Sequence, residues 1–142
     1  MMETIKSRFG DISVDTTKAI TFSRGLLGMP EKFNFVLANF PNPKMQQFTL
    51  LQSMDDKSLS FITLPLEMNN AIIALEDLKV ACRDMQIDET AAALLLIVTV
   101  HRGLDQVKLS VNARAPLLID VERKMGAQYV FQQDTYKVQH ML

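Results

Sequence analysis

Three side chains in this sequence have the chemistry to ligate a soft metal or attack an electrophile: Cys82, His101 and His140. Their spacing argues against both roles. A zinc site takes about four nitrogen or sulfur ligands, or three and a water, and neither histidine has a second soft ligand beside it. Cys82 falls on the apolar stripe of an expected helix, where cysteine packs as a small hydrophobe. No Gly-x-Ser-x-Gly elbow is present. The stretch Gly25-Leu26-Leu27-Gly28-Met29-Pro30-Glu31 looks like a phosphate loop at first. It lacks both the Lys-Ser/Thr ending of a P-loop and the third glycine of a dinucleotide fingerprint. It reads instead as a tight turn, with Pro30 opening a short helical turn ahead of Glu31. The acid pairs Asp55-Asp56, Glu76-Asp77 and Asp88-Glu89 stand where turns or helix starts are expected, or else offer an acidic patch to a basic partner. Residue chemistry thus describes a non-enzymatic binding protein with no metal and no cofactor.

The polar residues that interrupt apolar strands are the other candidates. Gln52, Asn112, Arg114 and Gln128 each sit in or beside a hydrophobic run. Either they satisfy buried backbone groups, because unpaired buried polar atoms are costly, or they belong to a partner-binding surface. Leu26 and Met29 are candidate contact hydrophobes, whereas Phe48 reads as core. The sharpest interruption lies in Val107–Asp120. Strand-like alternation over Val107, Leu109 and Val111 breaks at Asn112-Ala113-Arg114-Ala115-Pro116 and restarts as Leu117-Leu118-Ile119. A proline at a strand start does least harm and Asn bonds readily to nearby backbone, so this is a barrel corner.

Composition narrows the class of protein that positions these residues. A formal charge of −1 and a pI of about 6.1 exclude the basic surface on which direct nucleic-acid binding depends. One cysteine forbids an internal disulfide and fits a reducing cytoplasm. The N-terminal residues lack the apolar core of a signal peptide. The longest apolar run, Ala91 to Val98, falls far short of the ~18 residues of a membrane span. A single domain over residues 1–142, without linker or repeat, is expected.

Strands dominate the expected elements: 4–9, 11–14, 19–23, 33–38, 48–53, 59–64, 94–100, 106–112, 116–121 and 127–132. A turn is expected at Arg123-Lys124-Met125-Gly126. One helix follows from apolar residues at Leu75, Leu78, Ala81, Cys82 and Met85. It starts near Glu76, after an extended Ala71–Leu75, and runs toward Ile87. Many short strands with one or two short helices indicate a mainly β fold, a small antiparallel β-barrel-like domain. Such a barrel can also hold a small ligand, so a flavin-type barrel enzyme is the alternative, with Gln52, Asn112 and Gln128 as its pocket. A structural adaptor is a third.

Four segments, in order, resemble the flagellar assembly factor FliW family. They are Gly25-Leu26-Leu27-Gly28-Met29-Pro30-Glu31, Phe48-Thr49-Leu50-Leu51-Gln52-Ser53, Val111-Asn112-Ala113-Arg114-Ala115-Pro116-Leu117, and Gly126-Ala127-Gln128 followed by Tyr129 and Tyr136. Departures are apolar: Leu27 stands where the family favours Pro, Met29 where it favours Phe, and Ala113 where it favours Leu. They bear on partner fit more than on fold. The resemblance implies a β-barrel-like domain without a catalytic centre, monomeric when alone. It implies two protein partners: flagellin, held as by a cytoplasmic chaperone before export, and CsrA, an RNA-binding repressor of flagellin translation. Occupancy by flagellin would release CsrA, a linkage between two binding equilibria.

Overall fold

The run Leu94-Leu95-Leu96-Ile97-Val98 lacks polar alternation because its strand is covered on both faces. Leu94, Leu96 and Val98 pack into one hydrophobic cluster, while Leu95, with Ala93 and Ile97 beside it, packs into a second. This double burial organises the fold. The computed structural model describes residues 1–29, 31 and 33–142; the helical turn expected at Pro30 lies outside the described residues. The strands in chain order are β1 (Met2–Ser7), β2 (Gly10–Asp15), β3 (Ile20–Phe22), β4 (Asn34–Asn39), β5 (Thr49–Ser53) and β6 (Ser60–Leu66). Helix α1 (Leu75–Met85) follows, then β7 (Ala92–Arg102), β8 (Val107–Val111), β9 (Leu117–Asp120), β10 (Met125–Gln128) and β11 (His140–Met141).

Strands β7-β6-β5-β4-β3-β10-β9 hydrogen-bond in that order, and β9 pairs back onto β7, closing a seven-stranded barrel. Closure removes the exposed edges that an open sheet of this content would carry. Inside lie Ile20, Phe22, Phe35, Leu51, Leu95, Leu117 and Ile119, with Phe22 and Phe35 edge-to-face at 5.6 Å. The barrel axis is therefore filled by side chains. The neighbouring residues on the same strands (Val36, Leu50, Leu94, Leu96 and Leu118) face outward. The β1–β2 hairpin, through Ile5, Ile12 and Val14, and α1, through Leu78, Ala81 and Cys82, cover them.

The mainly β, antiparallel barrel is as expected, with one parallel seam where β10 runs along β3, Met125 opposite Thr21 and Gly126 opposite Phe22. Two expectations need correction. The strand expected at 127–132 is instead β10, which begins at Met125, inside the expected turn. Pairing to both β3 and β9 outweighs the turn propensity of that segment. Beyond Gln128 the chain runs beside the Asn112–Pro116 corner, Tyr129 N–H donating to Pro116 O and Phe131 N–H to Arg114 O, so its partner there is the interruption and not a strand. The short β11 carries too few residues for periodicity to reveal. Helix α1 ends at Met85, two residues before Ile87, since Gln86 takes a left-handed conformation (φ 57°) and Ile87 N–H bonds back to Cys82 O, a Schellman-type stop.

Candidate functional site

The interruption Asn112–Pro116 is a bulge in what is otherwise one continuous strand. Both β8 and β9 pair with the same edge of β7: Val111 lies opposite Val98, and Leu117 opposite Leu95. Five residues (112–116) thus face two (96 and 97), so three are extruded. Asn112 N–H donates to Ile97 O, and the Asn112 side-chain oxygen accepts from Ala115 N–H at 3.0 Å. The amide therefore holds the bulge closed. Asn112→Ala is expected to destabilise the protein by about 1–2 kcal/mol, the cost of leaving a part-buried N–H unpaired, read as a lower midpoint in urea denaturation.

The bulge is where remote segments join. Gln128 spans two of them: its side-chain oxygen accepts from Leu27 N–H at 2.8 Å and its amide donates to Ala115 O at 3.0 Å. Arg114 Nε donates to Phe131 O at 3.1 Å, and both Ala113 N–H and Arg114 N–H donate to Lys137 O. The Arg114–Asp134 ion pair (3.3 Å) involves a carboxylate 96% exposed, so it contributes little. Asn112, Arg114 and Gln128 thus form one hub that ties the Gly25–Gly28 turn and the C-terminal segment to the barrel.

The other candidates lie elsewhere. Gln52 is fully buried; its amide donates to Ser53 O and Lys57 O and its oxygen accepts from Ser60 Oγ. It closes the β5–β6 hairpin from within and has no surface to offer a partner. Leu26 likewise lies inside the barrel, 3% exposed, and Met29, which bridges to it, is half-buried. Gln128 lines an open cleft whose lining includes neither Gln52 nor Asn112. Cys82 is buried against the barrel; burial, aided by the Glu89 charge, pushes its thiol above the ordinary value, which disfavours a nucleophilic thiolate. His101 Nε2 bonds Ser110 Oγ at 2.7 Å. Among the described residues no three His, Cys, Asp or Glu side chains gather as metal ligands do.

After Gln128 the chain straps α1 to the bulge. Phe131 packs between Tyr129 and Tyr136, with ring centroids at 5.2 and 4.7 Å. Tyr129 OH donates to Asp84 at 2.8 Å and Tyr136 OH donates to Asp77, two carboxylates two turns apart on one helix face. The bond to Asp84 raises the Tyr129 phenol; burial, then the bond to Asp77, raises that of Tyr136. A phenol with a raised folded-state pKa stabilises the fold below its unfolded value near 10, and that stabilisation is lost as pH rises through the folded value. We therefore expect stability to fall above pH ~10. The double variant Tyr129→Phe/Tyr136→Phe should lose that part of the alkaline dependence in urea titrations from pH 8 to 12.

The C-terminal end of the strapped helix, Asp84 and Met85 with Gln86 and Ile87 after it, borders the open cleft that Gln128 lines, about 830 Å³ in volume. The opposite wall comes from the 23–28 turn, the β9–β10 turn and β10 itself. Gly25 and Gly28 both hold left-handed backbone (φ 64° and 81°), which glycine adopts without strain. This carries Leu27 outward, 60% exposed. Met85, Ile87 and Met125 complete an apolar floor, and Arg24 and Arg123 stand on the barrel side. Of the sequence candidates, only Leu26 and Gln128 border this cleft. Arg24, Arg123 and Met125 are not among those candidates, because they meet Leu27 only through the parallel β3–β10 seam, which no local pattern announces.

Residues 3–142 match the family model described as FliW protein. The chain belongs to the FliW family. The flagellar assembly factor FliW of Clostridium botulinum (strain Hall) is 33% identical over 135 residues, covering 94% of this chain and 91% of that protein. The FliW of Geotalea uraniireducens is 28% identical over 144 residues, covering 98% and 83%. A crystal structure of the flagellar assembly factor FliW superposes with a TM-score of 0.67 at 26% identity, covering 99% of this chain and 96% of that one. Seen within the FliW family, the three apolar departures fall in different places. Ala113 is buried in the bulge and Met29 is half-buried, whereas Leu27 faces the cleft.

Proposed function

We propose that this FliW-family protein binds flagellin in the cytoplasm as a chaperone and antagonises the translational repressor CsrA, coupling flagellin synthesis to export. The observation that carries this reading is the family match along nearly the whole chain, residues 3–142. It acts by binding and not by chemistry: the barrel axis is filled with Phe, Leu and Ile side chains, and burial raises the lone thiol above its ordinary value. With a formal charge of −1 the protein does not compete for RNA as a polycation; it reaches RNA through a protein that does. An open cleft with an apolar floor gives such a monomer a surface for a protein segment.

Co-purification with flagellin and with CsrA from the same genome tests the reading. Each is expected to form a complex at micromolar concentration, stable through size-exclusion chromatography. Failure of both to bind sinks it.

A further inference from the structure

The last residues of the chain form a segment anchored at a distance from its own tether. Phe131 is buried in the outer core layer, and the four residues after it, 132–135, are all exposed. The polar contact of that run is the Arg114–Asp134 ion pair, weak because its carboxylate stands in solvent. Residues 136–142 then fold back onto the body of the protein. The Tyr136 ring lies 4.7 Å from that of Phe131, and its hydroxyl donates to Asp77 and accepts from Ala74 N–H. Lys137 O accepts from Ala113 N–H and Arg114 N–H, and Leu142 N–H donates to Leu109 O. Strand β11 sets His140 opposite Val111 and Met141 opposite Ser110.

These contacts all lead to α1, the bulge, β8 and Phe131, and none to the exposed run. The site therefore specifies its ligand, residues 136–142 of this sequence, without specifying which copy supplies them. An anchored body, an exposed connection and an element bound only to the body are the parts that domain swapping uses. Within one copy the connection reverses, since Phe131 and Tyr136 stand ring beside ring. Straightened, the five steps from Phe131 to Tyr136 reach about 16 Å, which carries Tyr136 away from its own site toward a neighbour's. The segment also carries Val138, Met141 and Leu142, 57%, 49% and 55% exposed, and β8 carries Val107, 57% exposed. One copy leaves this apolar surface uncovered, and a second copy is what can cover it. Concentration keeps the single copy closed, because a short tether holds the segment at an effective concentration on the order of millimolar.

We propose that residues 136–142 exchange between two copies of this chain, each segment filling the other copy's site along β8 and α1, with residues 132–135 as the hinge. The exchange goes beyond the proposed function and is read on this protein alone, without flagellin or CsrA, so either can fail while the other stands. Shortening the hinge tests it. Deletion of Gln132, Gln133 and Asp134 leaves Thr135 alone between Phe131 and Tyr136, fewer than the two central residues that a β-turn needs. The segment then cannot return to its own copy. At micromolar concentration the deletion variant should run as a dimer in size-exclusion chromatography with light scattering, where the wild type is a monomer. Adding Tyr136→Ala to the deletion should restore the monomer, because it removes the ring and hydroxyl that anchor the segment. Circular dichroism checks that both variants keep the β fold. A second arm needs no variant: wild-type protein at about 1 mM, mixed with an isotope-labelled copy, should give mixed dimers in native mass spectrometry. A folded deletion variant that stays monomeric, a dimer indifferent to Tyr136→Ala, or wild-type protein that forms no mixed dimer at that concentration would each overturn the proposal.

Discussion

Phe131→Ala is expected to cost about 3 kcal/mol, the lower end of the range for removing a buried phenylalanine. Phe131 is 7% exposed and belongs to the outer core layer that joins the β1–β2 hairpin, α1 and the barrel. Its ring is the middle of the Tyr129–Phe131–Tyr136 stack, and each edge-to-face or offset pair adds about 0.5–1.5 kcal/mol beyond area. The loss should be local before it is global. Both tyrosines reach α1 only if Phe131 holds them in place, so the variant should speed amide exchange in Leu75–Met85 more than in β4–β6. Hydrogen exchange by mass spectrometry reads this directly. Uniform acceleration across the barrel would show that the strap does not act as a separate fastening.

Gly126→Ala is expected to cost about 2–3 kcal/mol, toward the upper end for overpacking. A Cβ at Gly126 would lie 2.6 Å from both Cε2 and Cζ of Phe22, closer than van der Waals contact permits. Phe22 is fully buried and braced edge-to-face against Phe35, so its ring cannot swing away. The pair is also the register point of the parallel seam, where the barrel closes. The effect should therefore be coupled: Phe22→Leu alone destabilises, but in the double variant with Gly126→Ala part of the loss is recovered. A double-mutant cycle in urea, with an interaction energy of about 1 kcal/mol or more, is the expected result. Simple additivity would mean that the ring yields.

The sequence announces those parts of this fold that obey a local period. Strands β4–β6 and the stripe of α1 appear within one or two residues of their ends, and the continuous apolar run of β7 marks a strand buried on both sides. The Asn112–Pro116 corner is legible as a break, since its alternation stops and restarts. Its nature as a three-residue bulge is not legible, because that depends on both flanking strands sharing one edge of β7. Polarity inside apolar strands is an ambiguous signal for the same reason. Gln52 and Gln128 look alike in sequence, yet one is sealed inside a hairpin and the other bridges two loops at the cleft border. Arg24 and Arg123, about a hundred residues apart in sequence, become neighbours of one cleft only when the parallel seam forms. The turn expected at Arg123–Gly126 is present but lies at residues 121–124, since non-local pairing on two sides takes Met125 and Gly126 into β10.

The central claim is that one protein links flagellin to CsrA by binding alone. The most direct measurement follows the RNA. CsrA bound to a labelled flagellin leader transcript is titrated with this protein, and flagellin is then added, with anisotropy recorded throughout. The account predicts that the protein releases the RNA at stoichiometric concentration and that flagellin restores CsrA to it. RNA that stays bound throughout, or that is released and never recovered when flagellin is added, would contradict it.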